Sequence, residues 1–335
     1  MSARLPLVVL ILCLLAPLTA SAVTLKIATI APNGTGWMNA MRAGAKEVKE
    51  RTEGRVKLRF YPGGVMGSDK SVLRKMRIGQ LQGGALTGGG LAMVYPNANI
   101  YSLPFSFRNY DEVDYVRSKM DPLLMQQLED KGFVSFGFIE TGFAYLMSKE
   151  PIRSVSDLEN RKIWIPEGDK ISQAAFEAVG VSPIQLPLTD VMTGLQTGLI
   201  DTVGSSPVGA IALQWHTRLH YITDLPVMYL YGTLVVQERA LRRIQPEDRK
   251  ILNEVMSKAA AELDEQARKD NRGAKKALVA QGLKLLEPSA SQAKRWRTNI
   301  DDAVAKLTQE GVFTKAMLER LEGNLAEYRE HHGQP

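Results

Sequence analysis

Residues Gly54–Gly90, GRVKLRFYPGGVMGSDKSVLRKMRIGQLQGGALTGGG, decide the fold class. Arg55 to Tyr61 alternates in polarity and predicts a strand, and Ser71 to Gln80 predicts a short helix. Gly84 to Thr87 then reads as a small buried strand that runs into Gly88, Gly89 and Gly90. Upstream, Val23 to Ile30 (VTLKIATI) is a further strand, and Trp37 to Thr52 is a helix with apolar side chains at helical spacing, stopped at Gly54. A β-α-β-α-β order implies a parallel sheet with right-handed crossovers. Ligands of such sheets bind beyond the carboxyl ends of the strands, here Ala31–Trp37 and Thr87–Gly90.

A second alternating block follows Phe133 to Ile139. It holds a short strand at Lys162 to Ile165 and a helix at Ile171 to Val179. In the strand, Ile163 and Ile165 share one face while Lys162 and Trp164 share the other. Further on, Thr189 is placed to cap a helix whose apolar face is Val191, Leu195 and Leu199. Val227 to Gln237 reads as a long strand able to cross between two sheets. Pro246, Glu247 and Asp248 open a helix that runs to Ala280, before Gly282. At about 1.5 Å per residue it is roughly 50 Å long, enough to brace two domains. Gly273 is the position at which it would bend.

The first residues set the compartment. Arg4, the apolar run Leu5 to Leu15, Pro17 and the small residues Ala20, Ser21 and Ala22 make a cleavable secretory signal of 22 residues. The run is too short for an ordinary membrane span. The sole cysteine, Cys13, falls inside it, and Leu12 before it argues for export over lipid anchoring. The exported chain then has no thiol, which removes disulfides, thiolate metal sites and cysteine nucleophiles. Its 313 or so residues suffice for two domains. The basic excess, 42 Lys and Arg against 36 Asp and Glu, is spread along the helices, so nucleic acid is not an expected partner.

Catalytic and metal motifs are missing. His216 and His220 have the i, i+4 spacing of a helical metal pair, but Thr217 stands where zinc hydrolases need glutamate, and no third ligand is in view. His331 and His332 belong to a tail expected to fray. No G-x-S-x-G elbow occurs, and the glycines of GGALTGGG form neither a dinucleotide nor a phosphate-binding loop. Asp111–Asp114 (DEVD) reads as the solvated first turn of a helix capped by Asn109. An enzyme has little support; no cofactor and no metal are expected.

Five stretches, in order, carry a resemblance over essentially the whole exported chain: LKIATIAPNGTGW, GRVKLRFYPGGVMGSDKSVLRKMRIGQLQGGAL, YSLPFSFRNYDEVD, SKEPIRSVSDLENRKI and LQTGLIDTVGSSP. The sequence resembles the periplasmic solute-binding proteins of tripartite ATP-independent (TRAP) transporters, the DctP-like family. The resemblance implies an α/β, two-lobed periplasmic-binding-protein fold with a long helix bracing both lobes. It implies a cleft that closes on a small molecule by a hinge motion. Membrane permease subunits, driven by an ion gradient, would be the partners. The lobes expected are 23–143 with 232–272, and 144–231 with 273–330.

The resemblance breaks where such proteins hold a carboxylate. The strand is usually K-I-R-[VI]-P, whose arginine pairs with the ligand's acid group; here that position is Trp164. A second arginine, in G-x-R, matches Ala144 in Gly142-Phe143-Ala144, and the polar residue before the proline of D-G-x-x-N-P matches Ser206. Losing one partner of a buried charged pair costs about 2–5 kcal/mol, tens to thousands of fold in affinity. The expected ligand is therefore neutral or hydrophobic, with a cation stacked on the indole a lesser alternative. Against this stand a carboxylate rescued by Lys162 or Arg161, and a Trp164 that merely packs between elements. A stand-alone carrier without a permease, and an exported enzyme on the same scaffold, also remain open. The remaining cleft candidates are Asn33, Trp37, Thr87, Gly88, Phe143, Ser205 and Tyr231.

Overall fold

The computed structural model describes residues 22–333, apart from the side chains of 299–302. Most of the expected export signal, residues 1–21, lies outside the described residues.

The opening block folds as its pattern requires. Strands β1 (Val23–Ala28), β2 (Val56–Tyr61) and β3 (Gly83–Thr87) are joined by α1 (Gly36–Arg51) and α2 (Asp69–Arg77). β1 pairs parallel with β2 from Val23↔Val56 to Ala28↔Tyr61, and with β3 on its other edge. Thr35 starts α1 by accepting the Met38 N–H. After β3 the three glycines open the single-turn α3 (Gly88–Ala92).

The sheet does not stay parallel. Helix α4 (Tyr110–Asp130) leads into β4 (Phe133–Ser148), and β4 is the element that runs through both halves of the molecule. The sequence pattern carried it only to Ile139, but the strand continues to Ser148 with breaks at Gly137 (φ +129°) and Gly142 (φ +98°). In the fold those breaks are register shifts against the neighbouring strand, where glycine's freedom at positive φ lets the strand bulge and continue.

The second half begins with β5 (Trp164–Pro166), α5 (Lys170–Glu177) and β6 (Ile184–Leu186). It continues through α6 (Val191–Thr197), β7 (Thr202–Ser205), α7 (Pro207–Ala212) and β8 (Tyr221–Thr223). β5 is shorter than expected, with Ile163 making a single parallel bridge to Thr202. Thr189 does not cap α6. It lies in a 3-10 turn, Asp190 takes the cap position, and Leu199 falls past the helix end and is 49% exposed. Val191 and Leu195 are buried as their spacing implies.

The chain returns through β9 (Met228–Gln237), antiparallel to both β3 and β4, so the expected long strand runs beside β4 across the molecule. After α8 (Glu238–Leu241), the long helix α9 spans Pro246–Ala280, with proline and acids in its first turn, unbroken through Gly273. β10 (Lys284–Leu286) pairs with β8, then α10 (Ala290–Gln309) and α11 (Lys315–His332) close the chain. The main sheet order is β10-β8-β4-β9-β3-β1-β2, with β7 also on β4. Helices cover both faces of its first half. Val113, Val116 and Met120 of α4 and Met317 and Leu321 of α11 form one core, and Met41 and Val48 of α1 and Leu252 and Met256 of α9 form the other.

Two local expectations need correction. Asn109 caps α4 by accepting the Glu112 N–H, but the DEVD turn is not merely solvated: Glu112 is 1% exposed and holds Arg329 of α11 at 2.7 Å. His331 and His332 do not fray from the fold, since α11 includes both and His332 stacks on Tyr328. The aligned rings and the Glu112–Arg329 anchor explain why this end stays helical.

Candidate functional site

A cavity of about 470 Å³ opens between the carboxyl ends of β1 and β3 on one side and the β5, α5 and β7 layer on the other. That size is typical of small-molecule sites. Its position follows from topology: β1 and β3 point their carboxyl ends at the place where β4 and β9 carry the sheet into the second half. Leu263 and Asn271 of α9 and Trp296 of α10 complete the wall.

Eight of the ten residues singled out from sequence line this cavity: Trp37, Thr87, Gly88, Ala144, Trp164, Ser205, Ser206 and Tyr231. Asn33 and Phe143 do not. Asn33 is exposed in its turn and accepts a hydrogen bond from Arg42. Phe143 is 5% exposed and turns into the core of the first half, against Tyr110 and Tyr229, because alternation along β4 sends it to the face opposite its neighbour Ala144.

Trp164 unites the two readings of it. The side chain lines the cavity and is 4% exposed; its Nε1 donates to the Leu186 carbonyl at 3.0 Å, and its ring meets Trp215 edge-on at 5.2 Å. It is therefore a rigid wall. Trp37, Trp215 and Trp296 line the same space, so every tryptophan of the chain faces it.

The polar lining groups are mostly committed to the protein. Ser206 caps α7 by accepting the Gly209 N–H, and Ser205 donates to the Ser206 carbonyl. Thr87 caps α3 and donates to Asp69 at 2.7 Å. Asn271, which sequence reading missed, donates to the Thr141 carbonyl and accepts from Val208 N, tying β4 to α7 under the cavity floor. A mid-helix asparagine gives no signal of this, since its partners lie 63 and 130 residues away. Two buried atoms on lining residues, Tyr231 Oη and Trp296 Nε1, have no hydrogen-bond partner among the described residues.

Charge in the cavity is one-sided. Among the described lining residues Lys70 is the sole cation, and it is bonded to Glu167 at 3.0 Å across the cleft mouth. Neither proposed substitute for the missing arginines is present: Lys162 donates to the Gly198 carbonyl and Arg161 to the Asp157 carbonyl, and neither lines the cavity. The strand pattern put Lys162 on Trp164's face, but β5 begins only at Trp164, and Lys162 precedes the regular pleat.

The two histidines do not share a helix. His216 lies in a 3-10 turn with its Nδ1 on the Ala210 carbonyl, and His220 precedes β8 with its Nδ1 on the Lys149 carbonyl. No group of metal-binding side chains occurs among the described residues, and no described helix is long and apolar enough to cross a membrane.

Comparison with known proteins agrees with this architecture. The profile of "Bacterial extracellular solute-binding protein, family 7" matches residues 27–310. The C4-dicarboxylate-binding periplasmic protein DctP of Rhodobacter capsulatus is 23% identical over 290 residues, 84% of each chain. Among solved structures, a TRAP periplasmic solute-binding protein of Desulfovibrio salexigens with bound orotic acid superposes with a TM-score of 0.82 at 18% identity. It covers 91% of this chain and 99% of that one. The sugar acid binding protein DctPAm of Advenella mimigardefordensis, in complex with galactonate, gives 0.83 at 18% identity, covering 92% and 99%. Members of this family bind small molecules, are usually periplasmic and work with membrane permease subunits. With a profile match across most of its length and the two-lobed TRAP solute-binding fold, the chain belongs to family 7 of the bacterial extracellular solute-binding proteins, the solute-binding components of TRAP transporters.

Proposed function

We propose that this protein is exported by a cleavable signal, captures a largely apolar small molecule that is not a carboxylate, and delivers it to TRAP permease subunits. It is a binding protein and not an enzyme in this reading. One lobe would comprise 23–143 and 232–272 and the other 144–231 and 273–330, with α11 returning to pack on α4.

The observation that carries the reading is the charge of the cleft. The two positions that the resemblance assigns to carboxylate-binding arginines are Trp164 and Ala144, and the one lining cation among the described residues is bonded to Glu167. A carboxylate placed there would lose its hydration without gaining a counter-charge. Tryptophan and aliphatic walls instead match an apolar surface. The ligands named for the relatives, orotic acid and galactonate, are acids. A second reading, an acid held by neutral donors, draws on the unpartnered Tyr231 Oη and Trp296 Nε1.

Native mass spectrometry of the gently purified exported chain, followed by extraction of the bound compound, separates the two. A co-purified compound with no acid group is expected; a bound organic acid would overturn the leading reading in favour of the second.

A further inference from the structure

The chain as a whole is basic, at +6, yet its cleft is acidic. Five carboxylates line it among the described residues (Asp69, Glu140, Glu167, Asp169 and Asp270), against Lys70 alone. Four of the five are occupied. Glu167 bonds Lys70, and Glu140 bonds Arg268 at 3.1 Å. Asp169 caps α5, accepting from Ile171 N, Ser172 N and Ser172 Oγ, and Asp270 is exposed and accepts from Gln266.

Asp69 differs. Both its hydrogen bonds, from Thr87 N at 3.3 Å and Thr87 Oγ at 2.7 Å, go to Oδ2. Oδ1 accepts nothing from any described residue, and no described Lys or Arg pairs with this carboxylate. The glycine run makes its seat: a Cβ on Gly90 would overlap the Asp69 side chain, and the Tyr231 ring lies 3.3 Å from where a Cβ on Gly88 would stand. Enclosure without a counter-charge pushes the carboxyl up to about 6. Asp69 is half-buried, with Oδ1 open to the cavity, so a donor or cation there can take the place of water at this oxygen.

Elsewhere in the same cavity the walls favour the same chemistry. All four tryptophans line the cleft, and the face of an indole attracts a cation through its quadrupole. An unpaired carboxylate with aromatic walls recognises an ammonium group and repels an anion. We infer that the ligand carries one basic nitrogen, bound in its protonated form at Asp69 Oδ1, with its apolar remainder against the tryptophan-rich wall. This rests on the reading of the cleft as a site for an apolar molecule without a carboxylate.

The tryptophans supply the readout. The exported chain is titrated, by its intrinsic fluorescence at pH 7.5, with 4-phenylbutylamine, 4-phenylbutan-1-ol and 4-phenylbutanoate. The amine is expected to bind at least about tenfold more tightly than the alcohol, and the acid most weakly. In Asp69→Asn, the amine's advantage over the alcohol is expected to vanish. If the amine fails to bind at millimolar concentration, or binds no better than the alcohol, the inference is overturned while the apolar-ligand reading stands. If the acid binds most tightly, both fall. An amine preference that survives Asp69→Asn unchanged also overturns the assignment to Asp69. Should that variant not fold, the three-probe series on the unaltered chain decides by itself.

Discussion

Asp69 makes a prediction about stability as well as binding. Burial without a cation raises its carboxyl to about 6 in the folded chain, above the value it has unfolded. Between those values the folded state binds more protons than the unfolded one, so the contribution is stabilising at low pH and is lost as pH rises through about 6. Asp121, Glu140 and Asp169 are also raised by burial, and Asp157 is lowered by the backbone amides it accepts from, so the total pH profile mixes signs. The difference between the unaltered chain and Asp69→Asn isolates one group. Urea denaturation of both at pH 4, 6 and 7.5 is expected to show the variant gaining relative stability as pH rises, by about 3 kcal/mol at most. A constant difference would show that Asp69 is well solvated. Trp164 teaches a different lesson at this scale: the sequence placed it at a strand end beside a turn, but its bond to Leu186 and its contact with Trp215 come from residues 22 and 51 positions away.

Among the elements, β4 determines how the two halves are joined. Its first part pairs with β9 and its last four residues pair with β7 and β8, so one strand belongs to both halves. Gly142 permits this. It sits at φ +98°, where L side chains are strained, and a Cβ there would come within 2.5 Å of Asn271 Nδ2. Gly142→Ala is expected to destabilise the chain by about 2 kcal/mol through backbone strain and loss of the Asn271 bonds, measured by urea denaturation. A variant as stable as the parent would mean that the bulge relaxes freely. The sequence reading stopped this segment at Ile139, nine residues short of Ser148, since an interrupted alternation looks like a strand's end when the partner strand is not visible.

For the whole molecule, α9 works as a brace because partly buried ion pairs attach it to the sheet and to α4. Arg117 of α4 bonds Asp264 of α9 at 2.9 Å, Asp121 at 3.0 Å, Tyr229 Oη and the Phe138 carbonyl, and Arg268 of α9 reaches Glu140 of β4 and Asp114 of α4. Removing one member of such a network leaves its partners buried and uncompensated. Arg117→Ala is expected to cost about 3–5 kcal/mol, read as a lower urea midpoint in one cooperative transition. A loss below 1 kcal/mol would show that the brace is held by apolar packing alone.

Local pattern determined a good deal here. The β-α-β-α-β opening, the cap Asn109 and the 35-residue helix from Pro246 to Ala280 depend on neighbours within a few turns, so periodicity and capping chemistry carry them. Eight cleft residues were also legible, because strand ends in this topology face one crevice and the resemblance marked the altered positions. Tertiary structure alone decided the mixed sheet, the length of β4 and the roles of Asn271 and Asp69. It also turned Lys162 and Arg161 away from the cleft. These depend on pairings between residues tens to more than a hundred positions apart, and a side chain's surroundings in a fold are set by such partners and not by its own sequence context.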